Sequence, residues 1–450
     1  MKSIITIGKG VIGEKLPIAL ITKIKKDLTF NNPDYVSAKK FGKYMSPSMP
    51  SHLFLFDIEG DKAWVPRGYI YWMLKWFKDN HLKYKIKDKT LVLKPLKLKF
   101  KGKLRSLQQK VIPDLMSYPC GVLDATTGAG KTVIGINMIV QRQQRTLIIV
   151  HSKELLYQWK DQIKKFTGED AGLVGDGKFD IQPITIGIIN SVRNKLQNLN
   201  KCFGHIICDE VHKLPSNSWM ETLQEFRAKY YLGLSATLYR ADGLGHAIFA
   251  SIGPLKHKID KKELQKTGLV LLPEIYKIYS NFSYLFTNDY STMITSLINN
   301  EERNTLITNE IAQDLCFHKE NILIVSDRQK HLKIMQERLL SNHKIKSHLL
   351  TGSINATKRK IIVKEARNGK CKVLFATTSL IGEGFDLPDL TALFLCTPIK
   401  FPGRLVQCVG RIRRPGKNKK KVPRVYDIRD DNIAVLQYSG YARDRVYKKM

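Results

Sequence analysis

Ala125-Thr-Thr-Gly-Ala-Gly-Lys-Thr132 lies between an apolar run, Gly121-Val-Leu-Asp124, and a helical pattern from Val133 to Val140. A small-residue turn that leaves a strand and opens a helix is the setting in which backbone N–H groups close around a phosphate. Thr127, Gly128, Ala129 and Gly130 supply the turn. Lys131 can offset charge on the β- and γ-phosphates, and the Thr132 hydroxyl suits Mg²⁺. Ala125 stands where the usual pattern has its first glycine, a change of little physical weight. The competing reading is a chance glycine turn, and the sequence downstream argues against it.

Seventy-eight residues beyond Lys131, Asp209-Glu210-Val-His212 closes another apolar run, His205-Ile-Ile-Cys208. A carboxylate at a strand end can hold Mg²⁺ through water, and its neighbour can orient and deprotonate an attacking water. Asp209 is read as the metal ligand and Glu210 as the base. Alone, Asp-Glu at a strand end is commonplace; together with the phosphate loop it describes an ATP-hydrolysing site.

Around these motifs apolar, strand-length runs alternate with helical patterns. Thr146-Leu-Ile-Ile-Val150, Ile184-Thr-Ile-Gly-Ile188 and Tyr231-Leu-Gly-Leu234 join the two runs above as buried parallel strands. After a segment carrying Pro254 and Pro273 the alternation resumes. Its strands are read at Ile322–Val325, Lys346–Leu350, Val373–Ala376, Ala392–Leu395 and Arg424–Asp427. The expected architecture is α/β: residues 103–255 form one parallel-sheet domain and 256–450 a linker and a second, with ATP in the cleft. A small α+β domain is expected before them, over residues 1–102.

The chain has 450 residues, with Lys+Arg 75 against Asp+Glu 40, a formal charge of +35. Such an excess opposes compaction, and a polyanion is its natural partner. A lysine-rich proteome is the bland alternative. No apolar stretch has the length of a spanning helix, and glycines at 8, 10 and 13 break any leader-like run. No membrane role is expected, and the cytoplasm, or the host cytoplasm and nucleoid for a phage protein, is the expected location. The seven cysteines form no CxxC pair, so neither zinc nor a disulfide framework is expected, and most are read as small core residues.

The first 102 residues are strongly basic and hold three of the five tryptophans. Tyr69, Trp72, Met73 and Trp76 fit one helix, so these aromatics are read mostly as core, with stacking on nucleic acid as the rival reading. Lys83–Lys103 alternates basic and apolar residues, which predicts an edge strand leading into a linker. Gly8-Lys-Gly10-Val-Ile-Gly13 matches a dinucleotide fingerprint. Because a turn and more helix follow it rather than a second parallel strand, it is read as a glycine turn.

From about residue 100 onward the motifs, in order, resemble those of the superfamily 2 helicases of DEXH type. The resemblance implies two RecA-like domains, ATP with Mg²⁺, and roles for further residues. Arg105-Ser-Leu-Gln108 resembles the adenine-reading Q motif. His151-Ser152-Lys153 through Gln158-Trp159 looks like motif Ia, and Asn190-Ser191 stands where Ib should. Ser235-Ala236-Thr237 is similar to motif III, which couples hydrolysis to movement. Thr377-Thr378 through Pro388 resembles motif V, with Gly384 and Asp386 near the nucleotide. Gln407 through Arg414 fits motif VI, which implies that Arg411 and Arg414 meet the γ-phosphate; Arg413 falls outside the pattern and is read as surface or DNA charge. Ser152, Lys153, Asn190, Ser191, Thr351, Gly352, Thr377 and Thr378 are the candidate backbone contacts.

RNA helicases of the DEAD-box group carry Asp-Glu-Ala-Asp and a motif VI beginning with His, whereas this chain has Asp-Glu-Val-His and Gln407. It looks more like the branch-remodelling DNA motors, phage branch-migration helicases among them. The expected partner is forked or branched DNA, engaged by a monomer that could work with replication or recombination proteins. A double-strand translocase of a restriction or remodelling complex and an RNA helicase are the alternatives.

Overall fold

The structure is a computed structural model. It describes the chain apart from residues 1, 43, 45, 47, 127, 214–216, 237–243, 260–262, 265–270, 288, 353, 355, 383–389, 400–401, 414–421 and 449. Two compact units emerge, Met1–Asp260 and Lys261–Met450.

The first unit begins with a five-stranded sheet in the order Asp57–Glu59, Lys62–Val65, Val11–Glu14, Ser3–Ile7, Tyr84–Asp88. Ser3–Ile7 turns back on Val11–Glu14 with Ile7 opposite Val11, so the Gly8–Gly13 fingerprint is a hairpin. A Cβ on Gly10 would stand 2.4 Å from the Trp64 indole nitrogen, which explains the glycine. Tyr84–Asp88, at the start of the Lys83–Lys103 alternation, is an edge strand, whereas Lys97–Lys101 is in no strand. Helix Ile70–Asp79 buries Tyr69, just before it, together with Met73 and Phe77 against Ile5, Val11, Leu20 and Ile24; Trp72 and Trp76 pack partly buried on the same core. The aromatic helix is thus chiefly a core element, as its spacing implies.

The second sheet has eight strands. Cys120–Ala125, Tyr230–Ser235, His205–Asp209, Thr146–Val150, Ile184–Ile188 and Gly172–Gly175 run side by side in parallel. Leu255–Ile259 adds in parallel beyond Cys120–Ala125, and Lys178–Phe179 closes the far edge as a hairpin strand. The unit runs to Asp260 because Leu255–Ile259 belongs to this sheet. Its sequence, Leu-Lys-His-Lys-Ile, carries no apolar run, since an edge strand buries little.

The five- and eight-stranded sheets of this unit share one continuous hydrophobic core. At their junction Arg67, 5% exposed, donates to the carbonyls of Gly8 (2.9 Å) and Lys229 (3.1 Å) and lies over the Tyr231 ring. The connecting segment is held by two amides. Gln144 pairs with both backbone groups of Leu93 (2.8 and 2.9 Å), and Gln143 with both of Leu98 (2.9 and 2.9 Å). Extended backbone is thereby satisfied without a strand partner.

The second unit holds a six-stranded parallel sheet. Its order is Glu274–Tyr279, Arg424–Arg429, Leu390–Leu395, Asn321–Ser326, Val373–Thr377, His348–Leu350. Five of these match the expected runs; Glu274–Tyr279 is a half-exposed edge.

Each unit buries a neutral histidine. His205 is fully enclosed, with Thr146 Oγ1 3.3 Å from Nδ1, and His331 lies between Ser326 (3.1 Å) and Asn304 (2.9 Å). Burial pushes both imidazoles down to about 3. The unfolded chain therefore takes up these protons first, and stability falls as pH drops below about 6.5. By pH 5 each histidine is expected to cost its unit about 2 kcal/mol. Melts between pH 7 and 5 should show this loss, with a shallower slope for His205→Gln; an unchanged slope would refute the assignment for His205.

Candidate ATP site

The strand Cys120–Ala125 delivers the small-residue loop to the N-terminus of helix Lys131–Arg142. Gly128 (φ 96°) and Gly130 (φ 81°) adopt left-handed backbone that side chains disfavour, which is why glycine stands at both. Lys131 Nζ folds back to donate to the Ala125 carbonyl at 3.1 Å. Gln108, almost fully buried in helix Ser106–Met116, accepts from the Arg105 N–H (3.0 Å) and donates to the Ala129 carbonyl (3.1 Å). The Q-motif pair thus sits beside the phosphate loop, and the Gln108 amide ties helix to loop.

Parallel pairing brings the other motifs to the same edge of the sheet. Asp209 stands opposite Leu234, and Ser235 opposite Asp124, the residue before Ala125. Asp209 is 6% exposed; its Oδ2 accepts from the Trp159 indole N–H at 2.8 Å and its Oδ1 from the Glu210 N–H at 3.0 Å. Glu210 has φ 51°, an uncommon conformation for a residue other than glycine. His212 Nδ1 lies 3.3 Å from Ser235 Oγ and 3.2 Å from Glu210 Oε2, so the acid pair and the Ser235 segment are joined through one imidazole.

Electrostatics separate the two acids. Burial, reinforced by the charge of Glu210, pushes the Asp209 carboxyl up. Burial also works to raise Glu210, but the Lys131 ammonium and His212 outweigh it and hold that carboxyl below its usual range. Glu210 Oε2 is buried, with His212 Nδ1 beside it at 3.2 Å. Two adjacent buried carboxylates and the Thr132 hydroxyl, close to the Lys131 ammonium, form an all-oxygen donor set suited to a hard divalent cation. The residues present fit Mg²⁺, with Thr132 and Asp209 as the groups that would hold it.

The candidate nucleic-acid contacts are placed as follows. Ser152 caps helix Lys153–Thr167 by accepting from the Leu155 N–H (3.4 Å), and Lys153 pairs with Asp176. Asn190 is exposed and Ser191 half-buried in helix Ile189–Arg193. In the second unit Thr351, Thr377 and Thr378 are buried, Gly352 is exposed, and Thr378 Oγ1 donates to Asp327. Gln407 is half-buried on helix Pro402–Ile412. On that helix Arg411, 6% exposed, donates twice to the Ile381 carbonyl (3.1 and 2.7 Å). Arg413 corrects its reading as surface or DNA charge. It is buried, and donates to the carbonyls of Leu271 (2.9 Å) and Met450 (3.3 Å), which orphan backbone acceptors require. Thr127, Thr237, Gly384, Asp386 and Arg414 lie outside the described residues; Ala236 is buried directly after Ser235.

Sequence reasoning missed the role of Trp159. It stands within a recognised motif, but nothing in its local pattern points to a carboxylate 50 residues away. Gly130 yields a direct test. A Cβ there would meet the Gln108 amide nitrogen at 2.3 Å on left-handed backbone. Gly130→Ala is expected to cost about 1–2 kcal/mol, read as a lower melting temperature, and to weaken nucleotide binding; wild-type values for both would contradict this packing.

Comparison with known proteins agrees with this geometry. The family "Type III restriction enzyme, res subunit" matches residues 101–240, and "Helicase conserved C-terminal domain" matches 292–416. "Probable helicase D10" of Escherichia phage T5 is 29% identical over 339 residues, covering 74% of this chain and 73% of that protein. DNA 3'-5' translocase XPB2 of Sulfurisphaera tokodaii is 27% identical over 351 residues, covering 70% and 80%. A protein of Acanthamoeba polyphaga mimivirus named as a candidate ATP-dependent RNA helicase, L396, is 28% identical over 456 residues, covering 95% and 82%. In fold, S. cerevisiae Dbp5 bound to RNA and ADP BeF3 is similar with a TM-score of 0.58 at 16% identity, over 77% of this chain and 88% of that one. Two tandem helicase domains, each on a parallel sheet, and a phosphate loop beside Asp209-Glu210 place this chain in superfamily 2: it belongs to the superfamily 2 helicases.

Proposed function

We propose that this helicase is a DNA motor that uses ATP hydrolysis to unwind or migrate forks and four-way junctions. The observation that carries the ATPase half is the pairing of the phosphate loop with an ionised, buried Glu210 beside Asp209. In this reading the loop backbone and Lys131 bind the β- and γ-phosphates, and Gln108 and Arg105 flank the base. Glu210 orients the attacking water and takes its proton. Mg²⁺, held by Thr132 and Asp209, would supply charge neutralisation at the phosphates. Gly384 and Asp386 keep the nucleotide-side role, and Arg411 and Arg414 the γ-phosphate role, that the family resemblance gives them. Ser235, Ala236 and Thr237 are the coupling segment, with His212 as its link to Glu210.

DNA is favoured over RNA by Asp-Glu-Val-His and Gln407, and by the likeness to a DNA translocase over 70% of the chain. The RNA reading is supported by the likeness to the mimivirus protein, over 95% of the chain. The +35 charge suits either polyanion.

ATPase and strand-displacement assays on forks, junctions and linear duplexes, each as DNA and as RNA, separate these readings. Branched DNA is expected to stimulate hydrolysis most; equal stimulation by RNA would overturn the DNA assignment. Lys131→Ala and Glu210→Gln should each lower kcat at least about 100-fold and leave nucleic-acid binding in place. Near-normal turnover in either variant would refute the site.

A further inference from the structure

The Trp159 indole touches two parts of the candidate ATP site at once. The residue is 1% exposed and sits two turns into helix Lys153–Thr167. Its six-membered ring lies against Gly135, one turn beyond Lys131 on the phosphate-loop helix, where an added Cβ would stand 2.8 Å from the ring edge. That added Cβ would also stand 3.3 Å from Leu234, whose strand continues into Ser235. The indole N–H then reaches Asp209 Oδ2 at 2.8 Å.

An apolar ring would be enough to fill this space. The nitrogen is what packing alone does not explain, because a buried indole N–H needs an acceptor and tryptophan is a donor only. Here that acceptor is a carboxylate in the metal-binding position. With the Glu210 N–H on Oδ1 and Trp159 on Oδ2, each Asp209 oxygen has one donor and spare lone pairs. Groups that hydrogen-bond a ligating side chain fix its orientation and typically carry 10–100-fold effects on metal affinity or activity.

We propose that Trp159 is a positioning residue for the metal-binding carboxylate: its indole N–H aims Asp209, and its ring fixes that carboxylate to the helix carrying Lys131 and Thr132. This rests on the reading of Asp209 as a Mg²⁺ ligand. Because Trp159 belongs to the helix that begins at Ser152 and Lys153, a displacement of that helix also acts on the metal site directly.

Trp159→Phe keeps a ring and removes the donor. Affinity for a fluorescent ATP analogue, measured across a Mg²⁺ titration and in EDTA, is the main readout. The expected result is an EDTA affinity within about twofold of wild type and a Mg²⁺ half-saturation raised about tenfold, with kcat lowered. The loss should vanish in an Asp209→Asn background, where the oriented carboxylate is already gone. A parallel fall of both affinities would mean a packing role only, and an unchanged Mg²⁺ dependence would overturn the proposal. The wild-type chain offers a second measurement if the variant folds poorly. Of its five indole N–H resonances, the one from Trp159, assigned by replacing the other four, should shift when Mg²⁺ is added to the nucleotide complex; no shift refutes the proposal. Should wild type itself bind nucleotide without any Mg²⁺ dependence, the site reading fails before this inference is tested.

Discussion

Parallel strand register is the constraint on which the candidate site depends. Strands that run in one direction end at one edge, so whatever follows their last residues is brought together. Ser235 pairs opposite Asp124 and Asp209 opposite Leu234, which sets the phosphate loop, the two carboxylates and the Ser235 hydroxyl on one rim. A slip of one residue would turn Asp209 to the other face of the sheet. Full burial of Ile206, Ile207 and Cys208 opposes such a slip, because both faces of this strand are covered.

That rim concentrates polar groups where the fold can least solvate them. Asp209 and Glu210 are adjacent, buried and both acidic, yet their environments drive their carboxyls in opposite directions. Lys131 and His212 favour the ionised form of Glu210, while Asp209 has two hydrogen-bond donors and bears the repulsion. Separation of neighbouring titratable groups is the arrangement hydrolytic chemistry needs. It is obtained at the expense of left-handed backbone at Glu210.

The second unit handles buried charge differently. Arg303 donates to both oxygens of Asp430 (2.6 and 3.0 Å) and to the Cys396 carbonyl, with Ser280 on the same carboxylate. Arg424 meets Asp314, and Arg443 meets Asp427. Such pairs contribute little net stability after desolvation, but each would be costly to break. The Arg303–Asp430 and Arg424–Asp314 pairs join segments far apart in the chain. Arg411 also donates to a neutral acceptor, the Ile381 carbonyl.

The sequence by itself determined the alternation of parallel strands and helices, the loop at Gly128–Thr132 and the acids at 209–210. Each follows from local physics: an apolar run long enough for a buried strand, glycines where the backbone turns left-handed, carboxylates at a strand end. It also reduced Gly8–Gly13 to a glycine turn, which the strand pairing makes a hairpin. Edge strands such as Leu255–Ile259 and Glu274–Tyr279 were not legible, because half-exposed strands carry no apolar signature. Only the tertiary structure decided that Arg413 is buried on carbonyls and that the indole of Trp159 reaches Asp209. The reason is distance along the chain. A hydrogen bond between residues 50 positions apart depends on how a helix docks on a sheet, and no local spacing encodes that.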